Sequence, residues 1–454
     1  MTEPTFWFGF EVPRAKIVVG RVIFFGLLAI DALMQLVHAP RYGAGFNVAQ
    51  LPGLDSLGPG RIGYGTSELV LAYAFVLIAF GVATRWLVPV AAIIYSWLYF
   101  GSQLDSYQHH YLIAMLLVIA CFVPWQPGAG PVRSWALRLM IVELAIVYLW
   151  AAISKLDPLW LDGTALSGQV HGSLRSLIDA TIGIRAVAIL VLLTELALTW
   201  IWVRPAWKFL APLGIAFHLG IVWSGLEIGL FAWLMIGLYA FVLPDRVYAW
   251  AKLPALPALS RPWLVFTASL VTGLVLAVIC RFPSSLAIAI VATVFVVVSC
   301  AITRRSIVAV ALAHLVALTV WVVVDRTSSI ARDYYNFWGG TSRRLKDPAS
   351  AQAAYRRLVA IAPDDVPAHY YLGLALLDRD DAAGLDELHI AERLDNHHAR
   401  AYNAEARWLA SHGKSQEALV VAREATAADP NDAEARNILA ALTTGHRPPA
   451  AHDN

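Results

Sequence analysis

Long apolar blocks separated by short polar ones fill the chain up to about residue 325. None alternates with the period of two that a barrel strand requires. A segment in hydrocarbon must pair its own backbone N–H and C=O groups, so the blocks predict membrane helices. They fall at residues 17–37, 68–83, 86–103, 111–123, 135–153 and 187–203. The stretch 207–243 is too long for one span of about 20 residues, and Ser224-Gly225 divides it in two. Three further blocks at 264–280, 284–301 and 307–324 bring the expectation to about eleven spans.

Beyond Asp325 the pattern changes to amphipathic stretches with a repeat. The turns Ala362-Pro363-Asp364-Asp365, Leu394-Asp395-Asn396-His397 and Ala428-Asp429-Pro430-Asn431 lie 32 and 34 residues apart. Trp338-Gly339 and Leu372-Gly373 also recur at 34 residues. This period, with small residues where helices touch, resembles tetratricopeptide repeats and predicts an α-solenoid of helix pairs. The expected fold is therefore all-α: a polytopic transmembrane helix bundle followed by a soluble α-solenoid. Residues 1–250 and 251–328 form two membrane segments, 329–444 the repeats and 445–454 a disordered tail.

Composition agrees with this division. Of 454 residues 59% are hydrophobic and 15% charged, against about 25% charged in ordinary soluble domains. A formal net charge of +2, with no basic block, points away from nucleic acid and leaves the lipid bilayer as the environment. Cys121, Cys280 and Cys300 all lie in apolar runs, so no disulfide framework is expected. No cleavage site follows the first block, which reads as a retained span. Placing the N-terminus inside puts Arg and Lys on inner loops over outer ones by about two to one. On an odd number of spans the repeats then lie outside a plasma membrane. The Gly- and Pro-rich loop 41–67 reads either as a flap over the outer mouth or as a disordered connector.

Ionisable side chains inside spans are candidates for function. They are Asp31, Glu143, Glu195, His218 and Glu227. Arg21 and Asp31 are too far apart on one helix to pair. Lys155 ends the block 135–153 and precedes Asp157, Trp160 and Asp162. It reads either as a snorkelling lysine beside an interfacial tryptophan or as a desolvated base. Lysine with its ordinary pKa of about 10.4 is a poor base at neutral pH, whereas burial disfavours its charged form. A nearby Asp157 or Asp162 would oppose that. His109 and His110 open another span. The membrane half contains no His-x-x-x-His or Cys-x-x-Cys spacing, so no metal is expected there.

Val147-Tyr148, Ser154-Lys155-Leu156-Asp157 and Trp160-Leu161-Asp162-Gly163 resemble the signature of the vitamin K-dependent gamma-carboxylase family, whose bacterial branch is often called the HTTM (horizontally transferred transmembrane) domain. Gln108-His109-His110-Tyr111-Leu112 is similar to its His-x-Tyr-Leu motif, and Phe217-His218 followed by Ile228-Gly229-Leu230-Phe231 to a later segment. The resemblance spans residues 10–246. It implies a lysine base, matched by Lys155, that deprotonates a reduced vitamin K or menaquinol-type quinone. Oxygen then turns the quinol into a strong base, which removes a γ proton from a protein glutamate, and carbon dioxide adds. It further implies a supporting His109 with His110 beside it, and places Tyr111, Trp160 and His218 on the cofactor. No metal is required.

Two features depart from the family. Trp223-Ser224 stands where an Asn-Ser pair is expected, and three extra spans and the repeats replace a large lumenal domain. The repeats would offer a concave surface to a peptide or protein partner. The readings that follow are a quinol-dependent lyase, a non-enzymatic membrane scaffold, and a transporter using Asp31, Glu143 and Glu195. The absence of an inverted repeat in the membrane half speaks against the transporter.

Overall fold

The computed structural model describes residues 4–42, 49–51, 57–104, 107–125, 130–170, 172–204, 209–224, 230–248, 312, 315–316, 319–320, 330–430, 432–446 and 448. They are mostly helical. Contacts divide the chain into two units.

The first unit contains α1 (Pro4–Trp7), β1 (Glu11–Val12), α2 (Arg14–Gln35), α3 (Arg61–Ala79), α4 (Thr84–Phe100), α5 (Gln108–Ala120), β2 (Val132–Arg133) and α6 (Trp135–Ser154). Three short helices follow, α7 (Pro158–Leu161), α8 (Thr164–Ser167) and α9 (Gly172–Ala180). Then come α10 (Ile184–Val203), α11 (Ala211–Trp223) and α12 (Phe231–Leu238), the last running into a 3-10 turn, Tyr239–Phe241. β1 and β2 form one antiparallel pair, with Val12 opposite Val132. Three described helices are long and apolar enough to cross a membrane: Arg14–Arg41, Trp135–Ser154 and Ile184–Val203. The other apolar helices of this unit, including Gln108–Ala120 and Ala211–Trp223, are shorter. The blocks expected at 264–280 and 284–301 lie outside the described residues, as does most of 307–324 and the carboxylate Glu227.

Helix boundaries follow backbone chemistry more than hydropathy. α3 starts at Arg61, well before the apolar block, and stops before Gly81 and Ala83, both at positive φ. α11 ends at Trp223 with Ser224 as its C-cap, at the expected break. α2 packs on α3, and α6 on α10. An aromatic cluster holds the centre, with the Phe25 ring tilted against Phe75 at 5.9 Å and edge-on to Trp125 at 5.4 Å. Gly20 permits this packing, because a Cβ there would lie 2.2 Å from the Phe241 ring. Two charged groups of α2 find partners. Buried Arg21 donates to the carbonyls of Ala79 (3.2 Å) and Trp125 (2.5 Å). Buried Lys16 pairs with Asp245. The unit's exterior carries Ile93, Ile146, Trp150, Leu190 and Leu193, the apolar surface that contact with lipid requires.

The second unit contains α13 (Ile330–Arg344), α14 (Pro348–Ile361), α15 (Val366–Leu377), α16 (Ala383–Leu394), α17 (Ala399–Ser411), α18 (Ser415–Ala428) and α19 (Ala433–Thr443). Consecutive helices pack as pairs. Aspartates start three of them: Asp347, Asp365 and Asp432 accept backbone N–H bonds at 3.0, 2.9 and 2.8 Å. The recurring glycines sit at helix contacts. A Cβ on Gly339 would lie 2.4 Å from the Tyr355 ring, and one on Gly373 2.8 Å from Leu388. Most of the expected tail lies outside the described residues.

Candidate functional site

Lys155 is the C-cap residue of α6. Side chains of a helix lean toward its N-terminus, and Lys155 runs back into the bundle, Nζ lying 3.4 Å from the Ala151 carbonyl one turn earlier. The ammonium meets the Glu195 carboxylate of α10 at 3.1 and 2.9 Å. Its side chain is 18% exposed and that of Glu195 is 8%. A snorkelling lysine points outward to water; this one points inward to a buried carboxylate. Nζ also lies 4.8 Å from the centre of the Trp160 ring, and the indole N–H is held by the Ala188 carbonyl at 3.0 Å.

Asp157 and Asp162 serve the backbone instead of the lysine. Asp157 accepts from Leu159 N and Asp162 from Thr164 N, each at 2.8 Å. The Thr164 backbone bond holds the Asp162 carboxyl below its ordinary range. Gly163 at φ +89° makes the turn between the two short helices. A Cβ there would crowd Arg185 at 3.0 Å.

The histidine motif lies at the same end of the bundle. α5 ends near the start of α6, where the Phe122 ring lies tilted against Trp135 at 5.6 Å. The opposite ends, Gln108 and Ser154, therefore share a face. His110 is buried and its Nδ1 bonds the Tyr95 hydroxyl at 2.7 Å. His109 stacks on Tyr107 at 5.5 Å and lies 5.3 Å from Phe231. Tyr111 is 47% exposed. Two residues before α3 lie at this end: Gln50 bonds the carbonyls of Phe100 and Tyr99, and Leu57 accepts the Trp97 indole at 2.7 Å.

His218 is deeper. Its Nε2 bonds the Tyr148 hydroxyl at 2.6 Å, and Tyr148 meets the Tyr239 hydroxyl at 3.2 Å. Trp202 stacks on Tyr148 at 6.1 Å. The charge of Glu195 acts on Tyr148, so the Lys155 pair and the His218 cluster are electrostatic neighbours. Glu143 and Asp31 are half-buried elsewhere. An apolar cavity of about 370 Å³ lies against α2 and α3, lined by Ile23, Leu27, Tyr73 and Phe80.

The structure thus brings Lys155, Trp160 and Glu195 together, and gives His109, His110 and His218 their own aromatic partners. Sequence reading overlooked Tyr95 and Tyr239, whose only signal was a tyrosine within an apolar block. Compared with models of known families and with curated proteins, the sequence matches none.

Proposed function

We propose that the chain is a membrane enzyme similar to the vitamin K-dependent gamma-carboxylases, spanning the membrane about eleven times, with its N-terminus cytoplasmic and its repeats extracytoplasmic. The observation that carries this reading is the inward-turned Lys155, paired with Glu195 beside Trp160. A reduced naphthoquinone-type cofactor would supply, with oxygen, the strong base that abstraction of a glutamate γ proton needs, and carbon dioxide would supply the carbon. The residues suit such a group in kind: one amine among aromatic and apolar side chains, with two histidines at the same end.

The pair works as a unit. As an ammonium and a carboxylate it holds one exchangeable proton between the partners. Glu195 takes that proton from Nζ, and the freed amine accepts one from a substrate hydroxyl. The net change is one proton gained by the pair and one lost by the substrate. Trp160 keeps water from the amine, and His109 orients or stabilises the substrate oxygen. A protein substrate would dock on the repeats.

The purified chain in lipid nanodiscs, given reduced naphthoquinone, oxygen and labelled carbon dioxide, is expected to consume quinol and label a partner protein. Lys155→Ala is expected to lower quinol consumption by about 100-fold or more, the range of general-base catalysis. Equal rates in both proteins would overturn the reading. A second reading has the same pair acting only as a clamp between α6 and α10 in a scaffold. Replacing both partners of a buried pair by apolar residues is often neutral for stability. Lys155→Met with Glu195→Met therefore separates the two: the enzyme becomes stable but inactive, whereas the scaffold keeps its function.

A further inference from the structure

His389 and Glu392 stand three residues apart on α16 and so share one face. Glu405 of α17 meets them there. Small residues on the two helices, Ala391, Ala401 and Ala404, let the backbones approach closely. One ligand atom from each of the three side chains lies within 4.8 Å of the others, and His389 Nε2 is already 3.0 Å from Glu405 Oε1. Ligand atoms around a tetrahedral ion with bonds of about 2.1 Å stand roughly 3.4 Å apart. Small side-chain rotations therefore close the set around a cation.

We propose that His389, Glu392 and Glu405 bind one divalent transition-metal ion of the zinc class. One imidazole and two carboxylates are a mixed nitrogen and oxygen donor set, which favours such ions over calcium or magnesium. Two features of the surroundings suit a cation. Glu392 Oε1 is shut off from solvent, and the Glu392 carboxyl lies within hydrogen-bonding reach of the Glu405 carboxyl. Glu424 adds a third carboxylate to the field at Glu392, which Arg393 offsets in part. Unlike-charged occupancy relieves this crowding. His389, whose side chain is 44% exposed, gives an ion a path from water. The ion would tie α16 to α17 and stiffen the solenoid between two repeats.

The test uses the full chain in detergent, stripped with a chelator and desalted. Titration with zinc chloride is followed by calorimetry and titration with cobalt(II) by visible absorption. One equivalent is expected to bind, with ligand-field bands of a low-coordinate cobalt site and a raised melting temperature. His389→Ala, Glu392→Gln and Glu405→Gln are each expected to weaken that equivalent at least about tenfold, because loss of even a group that only orients a ligand costs about 10- to 100-fold. Glu392→Gln keeps the shape of the side chain, and far-ultraviolet circular dichroism checks each variant for folding. Unchanged binding in the folded Glu392→Gln protein, or no binding by the wild type, would overturn the proposal. Loss of the same equivalent on His109→Ala instead would place the ion in the first unit and also overturn it.

Discussion

A buried ion pair is weak evidence for stability, yet removing one partner alone is costly because the other is left uncompensated. Lys155→Met is therefore expected to destabilise the first unit by about 3–5 kcal/mol, and the added Glu195→Met to restore most of it. Thermal loss of helicity in micelles checks both. A residue in the second unit offers a pH test. His412 Nδ1 faces the Trp408 carbonyl at 2.8 Å and Nε2 faces Asp380 at 2.9 Å. Both contacts require a donated N–H, which only the imidazolium supplies at both nitrogens. The carbonyl bond first, then Asp380, raise the His412 pKa above its ordinary value. A folded pKa above the unfolded one makes the contribution full below the ordinary histidine range and lost as pH rises through the folded value. The melting temperature of the repeats should fall over that window, and His412→Gln should flatten the fall. Lys155, Trp160 and His218 stood out in the sequence because polar groups and anchors in apolar blocks are conspicuous. Glu195 stood out as well, but its role as the partner of Lys155 did not. Forty residues separate the two, and only the packing of α6 on α10 joins them.

At the scale of the element, glycine marks where backbones approach. A Cβ on Gly373 would crowd Leu388 and the Gly384 carbonyl, so Gly373→Ala should cost about 1–3 kcal/mol through overpacking, read as a lower denaturation midpoint. In the first unit a Cβ on Gly214 would lie 1.8 Å from the Tyr239 hydroxyl. Gly214→Ala is expected to break the Tyr148–Tyr239 contact, which a lowered melting temperature and altered tyrosine absorption would report. The repeat was legible because the turns recur at 32 and 34 residues and the contact glycines at 34. Helix ends in the membrane half were less so. Hydropathy marks the part of a helix that faces lipid, and α3 and α4 begin before that part with Arg61 and Thr84.

At the scale of the molecule, a reporter fused after Asn454 should be active only outside the cytoplasm if the span count is odd; cytoplasmic activity would shift the count by one. Helices throughout, apolar ones first and amphipathic pairs toward the C-terminal end, were legible in the sequence. Long apolar blocks can satisfy their backbones in hydrocarbon only as helices, and amphipathic segments of fixed period can bury their faces only against neighbouring copies. Tertiary structure decided which polar groups meet. It turned Lys155 inward to Glu195, gave Asp157 and Asp162 to the backbone, and set His389 and Glu392 against Glu405. Hydrophobic periodicity specifies which face of each helix is buried, but a polar contact across helices depends on their axial register and rotation, which no local pattern encodes.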